Sequence, residues 1–242
     1  MRILVTGGAK RLGAAIVRAL AGAGHETVIH YGGSRDAAQA LARELGGTTV
    51  QADLADPAAV TAMFARAAAA GRIDGLVNSA SLFEEDRPEA IDPALSARLH
   101  TINCVAPALL VAALAAQGGE GAVVNLLDQK LANPNPDYFS YSLSKYALAG
   151  ATTMMAQAFA PRVRVNAVAP GLTLKSGGQS DAEFERVARM NLLERPVGAE
   201  NVAAAVLYLL EARSVTGQTL YVDAGQRFLK RDGDVMFEGR DG

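Results

Sequence analysis

The chain has 242 residues, half of them hydrophobic, which is enough to bury one large core in a single domain. Its 23 Lys and Arg residues against 25 Asp and Glu residues give a net charge of -2, which excludes the strongly basic surface of a nucleic-acid-binding protein. The longest uncharged apolar run, 104–116, is shorter than the ~20 residues that span a bilayer, and the single cysteine cannot form an internal disulfide. We therefore expect a cytoplasmic protein that binds a small molecule and neither nucleic acid nor a membrane.

Seven strands are predicted along the chain. They are short segments rich in Val, Ile and Leu that alternate with alanine-rich stretches of helical period, as in a parallel sheet covered by helices on both faces. The predicted strands cover residues 2–5, 27–31, 48–52, 75–78, 122–126, 163–168 and 219–222. Because the first strand begins at once, no export signal is expected. In the nucleotide-binding sheet order 3-2-1-4-5-6, a crevice lies between the first and fourth strands, beyond their carboxyl ends.

The predicted architecture is a single Rossmann-type α/β domain with a doubly wound, seven-stranded parallel sheet over residues 1–225. Residues 172–195 contain Gly177 and Gly178 beside an amphipathic helix. We expect them to form a lid over the substrate, the alternative being an ordinary helical connection. Residues 226–242 form a charged C-terminal tail, which is expected to be loose or to dock on a neighbouring subunit.

A glycine-rich turn with the sequence TGGAKRLG joins the first predicted strand to the helix after it. Glycines in this context let backbone amides approach a pyrophosphate at the helix N-terminus, although they can also simply cap a strand-to-helix turn. Arg11 is expected to overhang the phosphates or the substrate. The predicted cofactor contacts in this turn are Gly7, Lys10, Arg11, Leu12 and Gly13.

The end of the second strand indicates which dinucleotide binds. It reads HYGGSR and offers no carboxylate for an adenosine ribose, which disfavours NAD. Ser34 and Arg35, beside Tyr31, can instead hold a 2′-phosphate through charge-assisted hydrogen bonds, so the expected cofactor is NADP(H). After the third strand, Asp53 and Leu54 are placed for the adenine. The alternative is that Asp53 is an ordinary loop or helix-cap carboxylate.

A tyrosine and a lysine four positions apart indicate proton-transfer chemistry. Tyr141 opens the segment YSLSK, and on a helix Lys145 lies on the same face. Because free tyrosine titrates near ~10, a neighbouring ammonium is expected to favour the phenolate. Asp128, thirteen residues before Tyr141, is either a catalytic carboxyl or the cap of the proline-containing turn at 133–136. Asp137 fits a cap of the helix that carries Tyr141, and the three histidines show no spacing typical of a metal site.

Taken together, these segments resemble the short-chain dehydrogenase/reductase family from residue 3 to residue 225. The other shared marks are NSAS at 78–81, Asn103, a Pro-Gly pair after the sixth strand and VDAG at 222–225. The resemblance implies that Tyr141 protonates the substrate, that Lys145 holds the nicotinamide ribose and that Asn103 supports a water-linked proton path. It also implies a homo-oligomer, with a tetramer favoured. The cofactor contacts that it implies are Asn78, Ser79, Ala80, Lys145, Pro170 and Gly171.

Three departures from the family pattern resemble the pteridine reductases within it. Arg11 and Ser81 stand in place of glycines, and Asp128 stands in place of the catalytic serine. The resemblance implies that Phe83 stacks on a pterin, with Tyr138 nearby, although Phe83 is alternatively a core aromatic under a loop. A carboxyl suits the donor-rich edge of a pterin, whereas a hydroxyl suits a carbonyl. The implied substrate contacts are Arg11, Ser81, Phe83, Asp128 and Tyr141.

The expected activity is NADPH-dependent reduction of a dihydropterin to its tetrahydro form, the candidates being dihydromonapterin, dihydrobiopterin and dihydrofolate. One alternative is a carbonyl reductase of a ketoacyl thioester or a keto-sugar, because most proteins with the Tyr-x-x-x-Lys helix act on such groups. The other is an NADPH-binding sensor without catalysis. Retention of Asn103, Tyr141 and Lys145 argues against the sensor, and Asp128 distinguishes the two enzymes.

Overall fold

The segments rich in Val, Ile and Leu form one parallel sheet in the computed structural model, which describes residues 1–175 and 179–235. The strands are β1 (Arg2–Thr6), β2 (Glu26–Tyr31), β3 (Thr48–Gln51), β4 (Gly75–Asn78), β5 (Gly121–Leu126), β6 (Val163–Pro170) and β7 (Thr219–Val222). Their order is β3-β2-β1-β4-β5-β6-β7, and each neighbouring pair is parallel. The predicted fold class is therefore confirmed, and the strand bounds agree closely with the prediction.

Helices cover both faces of the sheet. They are α1 (Arg11–Gly22), α2 (Arg35–Leu45), α3 (Pro57–Ala69), α4 (Pro93–His100), α5 (Ala106–Ala116), α6 (Phe139–Phe159), α7 (Asp181–Ala188) and α8 (Ala199–Glu211). On one face, α1, α2 and α8 bury apolar side chains against the sheet, as Ile16, Val17 and Leu20 of α1 do. On the other face, α3, α5 and α6 form a second core. Burial on both faces explains why the strands are continuously apolar.

The helices α4 and α5 join through a π-helical turn, Thr101–Val105, into one stretch, Pro93–Ala116. Within the described part of the chain, this is the helix that is long and apolar enough to cross a membrane by length and composition. In its most apolar 18-residue window, 44% is buried inside the protein, and the core helices of soluble proteins pass the same test.

The carboxyl ends of three strands meet at one edge of the sheet. The register pairs Thr6 with Asn78 and Asn78 with Asn125. Asn78 Nδ2 donates a hydrogen bond to Asn125 Oδ1 at 2.8 Å, and Asn125 Nδ2 donates to Thr152 Oγ1 on α6 at 2.9 Å. This buried chain of amides ties α6 to the strand ends, where the predicted crevice lies.

The described part of the C-terminal tail packs on its own chain. Asn133 Nδ2 donates to Leu229 O at 2.7 Å, and Arg231 Nη2 donates to Met190 O at 2.8 Å. Val235 is 4% exposed. Residues 226–235 are therefore attached to their own chain and are not loose, while docking of the tail on a neighbouring subunit stays a prediction. Residues 236–242 and the proposed hinge glycines, Gly177 and Gly178, lie outside the described residues.

Candidate active site

A cavity of about 240 Å³ opens beyond the carboxyl ends of β4, β5 and β6. Its walls come from the glycine-rich turn, the loop after β4, the end of β5, α6, the segment after β6 and the C-terminal tail. The predicted site residues that line it are Arg11, Leu12, Ser79, Ser81, Phe83, Asp128, Tyr141, Lys145, Pro170 and Gly171. The other predicted residues lie away from this cavity, on the turn after β1, at the ends of β2, β3 and β4, and on the π-helical turn.

At the centre of the cavity wall, Tyr141 is bonded to Asp128. The Tyr141 hydroxyl donates to Asp128 Oδ2 at 2.9 Å, while Asp128 Oδ1 accepts the backbone N–H of Lys130 at 2.9 Å. One oxygen therefore caps the short 3₁₀ turn Gln129–Leu131, and the other accepts the Tyr141 hydroxyl. The alternative in which Asp128 caps the turn at 133–136 is wrong, since the turn that it caps comes earlier.

Burial and the carboxyl hold the proton on Tyr141. Burial, with the neighbouring charge and hydrogen bond of Asp128, raises the pKa of Tyr141 well above its usual value of 10. Burial also raises the pKa of Asp128, which its bonds to Lys130 and Tyr141 partly oppose. The expectation that the Tyr141 phenolate is favoured is wrong, because burial and the Asp128 carboxyl raise the pKa of Tyr141 instead of lowering it. The Tyr141 hydroxyl is therefore protonated at neutral pH.

Lys145 lies under the tyrosine ring, as its spacing predicts. Its Nζ is 5.6 Å from the centroid of the Tyr141 ring and donates to Leu126 O at 2.8 Å. Burial lowers the pKa of Lys145 to about 8, although Asp128 opposes that shift. The lysine is thus anchored to the end of β5, and its charge is sensitive to mildly alkaline pH.

Asn103 holds the loop that follows β4. Its Oδ1 accepts Leu82 N at 2.8 Å and Ser81 Oγ at 3.2 Å, and its Nδ2 donates to Leu82 O at 2.9 Å and to Ser144 Oγ at 3.0 Å. These bonds fix Ser81 at the cavity wall. The role of Asn103 in a proton path stays a prediction.

The turn after β1 has the close packing that a phosphate cradle requires. A Cβ at Gly7, which has φ +63°, would lie 2.9 Å from Ala80 Cα, and a Cβ at Gly13 would clash with Gly7 O. Arg11 also has a positive φ, +51°, at a position where glycine is the easier residue. Lys10 is the N-cap of α1 and makes no side-chain capping bond. The first amides of α1 thus suit an anion.

His30 supports this turn from beneath. The Gly7 N–H donates to His30 Nδ1 at 3.1 Å, so the other ring nitrogen carries the proton and donates to Ala52 O at 3.2 Å. Burial lowers the pKa of His30, which keeps the ring neutral. Thr6 Oγ1 accepts the amides of Ser79 and Ala80 at 3.0 and 3.1 Å, which holds the loop after β4 against the turn.

The adenosine end of the crevice also fits the predicted cofactor. Ser34 is the N-cap of α2, and Arg35 is exposed at its first position. Asn78 Oδ1 is buried at the strand ends with no protein partner among the described residues. Asp53 is exposed and accepts Ala55 N at 2.9 Å, which matches the loop-carboxylate alternative, while its contact with adenine stays a prediction. Tyr31 is buried at the end of β2, and Leu54 is buried after β3.

The aromatic residues form a stack at the cavity mouth. Phe83 is 42% exposed, so it is not a core aromatic. Its ring is stacked on Tyr138, with centroids 4.1 Å apart and an angle of 14° between the planes, and it meets Tyr141 edge-on at 4.7 Å. Arg11 reaches across the same mouth, where its Nη2 donates to Lys175 O at 2.7 Å.

A family model described as enoyl-(acyl carrier protein) reductase matches residues 7–227. The chain belongs to the short-chain dehydrogenase/reductase family. The solved structure of FolM alternative dihydrofolate reductase 1 from Brucella suis, in complex with NADP, is 40% identical, with a TM-score of 0.90 over 95% of this chain and 96% of that one.

Two curated relatives have names that refer to different kinds of substrate. Pteridine reductase 1 of Leishmania tarentolae is 31% identical and covers 92% of this chain and 94% of its own length. L-Xylulose reductase of Mesocricetus auratus is 34% identical and covers 93% of this chain and 95% of its own length. The family is therefore established, while the substrate has to be inferred from the residues of the site.

Several residues at this short-chain reductase site were not anticipated from sequence. Lys130, Asp234 and Val235 line the cavity, and His30 supports the glycine-rich turn. The only advance signal for Lys130 is its place just after Asp128. Gln226, which also lines the cavity, follows the VDAG motif and accepts Leu172 N at 2.8 Å.

The cap predicted for Asp137 is wrong. The start of α6 is instead bonded by Asp86, whose Oδ1 accepts Ser140 N at 2.8 Å. Asp137 Oδ1 pairs with Arg87 at 3.0 Å, and its Oδ2 accepts Asp234 N at 2.8 Å. An acid from a distant loop thus takes the capping position, which the local sequence does not reveal.

Proposed function

We propose that this short-chain dehydrogenase/reductase reduces dihydropterins to their tetrahydro forms with NADPH. The chain is an NADP-dependent oxidoreductase, as are the related structures solved with NADP. The observation that carries the pterin proposal is the part-buried hydrogen bond from Tyr141 to Asp128 on the cavity wall. The names of two relatives, pteridine reductase 1 and alternative dihydrofolate reductase 1, support the same substrate class.

The residues present fit the cofactor along the whole crevice. The amides at the start of α1 would hold the pyrophosphate, and Arg35 with Ser34 would hold the 2′-phosphate. Lys145 would hold the nicotinamide ribose, near the end of β5. NADPH, when bound, supplies the hydride, and the remaining chemistry belongs to the side chains of the cavity.

Reduction of a dihydropterin adds a hydride to one ring carbon and a proton to the adjacent nitrogen. Tyr141 retains its proton in the buried site, so it can deliver that proton to the nitrogen. Asp128 accepts hydrogen bonds, and its carboxylate can bind the N–H donors along the pterin edge while it orients the tyrosine hydroxyl. A serine in its place would offer a single neutral hydroxyl.

The aromatic pair would set the plane of the substrate ring. One face of Phe83 is stacked on Tyr138, and the ring also lines the cavity. A flat heterocycle that lies against this wall gains stacking and burial, which fixes the ring carbon relative to the hydride donor. Phe83 therefore acts as part of an aromatic wall rather than as an isolated platform.

The competing function is carbonyl reduction, which the similarity to L-xylulose reductase supports. The test is an NADPH-oxidation assay of the purified protein with dihydrobiopterin, dihydromonapterin, dihydrofolate, L-xylulose and a short ketoacyl thioester. We expect a dihydropterin or dihydrofolate to give the highest kcat/KM, and Tyr141→Phe to lower that kcat/KM strongly while leaving a measurable residue. Faster turnover of L-xylulose or the thioester, with no measurable pterin reduction, would overturn the proposal.

We also propose that the protein assembles as a homo-oligomer, with a tetramer favoured, and that it acts in the cytoplasm. Leu143, Tyr146 and Met154 are exposed on α6, where a second copy could cover them. Light scattering during size-exclusion chromatography measures the mass directly. A monomer at micromolar concentration would contradict the assembly.

A further inference from the structure

Residues 229–235, called here the C-terminal segment, form one wall of the substrate cavity. Asp234 and Val235 line the cavity together with Asp128 and Tyr141. The segment is held at separate points, because Asn133 binds the carbonyl of Leu229 and Asp137 binds the amide of Asp234. A stretch that follows the last strand thus reaches back to the catalytic residues.

A further attachment of this segment is a buried ion pair. Lys130 Nζ lies 2.8 Å from Asp234 Oδ2, and the two side chains are only 4% and 14% exposed. The same Nζ donates to Asp137 O at 3.0 Å and lies 5.3 Å from the centroid of the Tyr138 ring. A buried ion pair is weak evidence for stability, since desolvation offsets much of the attraction. Because both side chains line the cavity, the position of the pair points to a role in the site.

The pair lies beside the catalytic carboxyl. The backbone N–H of Lys130 binds Asp128, and the ammonium of Lys130 favours the charged form of that carboxyl, whereas Asp234 opposes it. Asp234 also adds to the field that keeps the Tyr141 hydroxyl protonated. The titratable or charged groups that line the cavity with Asp128 are Arg11 of α1, Lys130, Tyr141 and Lys145 of α6, and Asp234 of the C-terminal segment.

We propose that Asp234 is a positioning residue of the substrate site, which acts through Lys130 to set the charge of Asp128 while it holds the C-terminal segment as a wall of the cavity. The proposal rests on the reductase function proposed above and adds an electrostatic control to it. Neither residue delivers a proton to the substrate. The two charges act on Asp128 in opposite directions, so removal of either one shifts the balance of charge next to that carboxyl.

Because Lys130 and Asp234 carry opposite charges, removing one or the other should shift the pH profile in opposite directions. A purely structural role would not produce such opposite shifts. The acid limb of kcat/KM should follow protonation of Asp128. In Asp234→Asn, loss of the negative charge that opposes ionisation of Asp128 should move this limb by about 0.5–1 pH unit to lower pH. In Lys130→Met, loss of the ammonium that favours the charged carboxyl should move the limb by about the same amount to higher pH. Asp232→Asn, an exposed change of the same charge in the same segment, should leave the profile unchanged.

A second readout does not depend on turnover. Trypsin can cut after Lys230 and Arg231, within the docked segment, and mass spectrometry can follow this cleavage. We expect Asp234→Asn to be cleaved there several-fold faster than the wild-type protein, and Asp232→Asn to be cleaved at the wild-type rate. Unchanged cleavage of Asp234→Asn, or pH limbs that move in the same direction in Asp234→Asn and Lys130→Met, would overturn the proposal.

The design separates this proposal from the function on which it rests. If the wild-type protein reduces only ketones, the pterin function fails. The same pH profiles, recorded with the best ketone, then still decide whether Asp234 acts on Asp128. Pterin turnover with pH limbs that do not move would instead refute the role of Asp234 and leave the reductase function standing.

Discussion

Replacement of Asp128 by asparagine tests the hydrogen bond between Tyr141 and Asp128. The variant keeps the volume of the side chain, and its Oδ1 can still accept Lys130 N, so the turn after β5 stays capped. What it loses is the negative charge that accepts the Tyr141 hydroxyl at 2.9 Å. A hydrogen bond to a charged group contributes about 1.5–3 kcal/mol, which corresponds to a loss of about 10- to 150-fold in kcat/KM for the dihydropterin.

The assay is steady-state NADPH oxidation by the wild-type protein, Asp128→Asn, Tyr141→Phe and the double variant. Because the two side chains act through one bond, we expect the double variant to be no slower than Tyr141→Phe alone. Thermal unfolding of each variant checks that the fold is retained. Full activity of Asp128→Asn, or strictly additive losses in the double variant, would refute the reasoning.

Three further predictions concern the cofactor end and its pH dependence. Arg35→Ala should lower kcat/KM for NADPH by about tenfold and leave NADH use unchanged; Arg43→Ala, exposed on the same helix, should leave both unchanged. Because burial lowers the pKa of His30, the unfolded state takes up the histidine proton at a higher pH than the folded state does. The free energy of unfolding should therefore keep its full value above pH ~6.5 and fall as the pH drops below it. His30→Gln should reduce this pH dependence in urea unfolding. The pKa of Lys145 is about 8, so its ammonium discharges as pH rises through that value, and fluorescence titration should find weaker NADPH binding there. A dissociation constant that stays flat across that range would contradict the assignment.

The fold could be predicted because its signals are local. Each strand is an apolar run with flanking turns, and the helices between the strands force parallel pairing in the usual order. The glycine-rich turn and the tyrosine helix could be placed for the same reason, since their residues are close in sequence. Arg11 stands where the family pattern has a glycine, and its positive φ of +51° shows that this replacement has a cost in backbone conformation.

The chemistry of the site depends on partners that the sequence places far apart. The four-residue spacing of Tyr141 and Lys145 suggested a lowered tyrosine pKa, but Asp128 and burial raise it. Lys130 meets Asp234 across 104 positions of the chain, and no local pattern predicts that meeting. The same applies to Asp86, which takes the capping position expected for Asp137 because a loop folds back onto α6.

The central claim is that the carboxyl of Asp128 equips this site for a nitrogen heterocycle rather than for a carbonyl. The most direct measurement is the ratio of kcat/KM for a dihydropterin to kcat/KM for L-xylulose, in the wild-type protein and in Asp128→Ser. We predict that the ratio favours the dihydropterin in the wild-type protein and falls by about tenfold or more when serine replaces the carboxyl. An unchanged ratio, with both substrates affected equally, would contradict the claim.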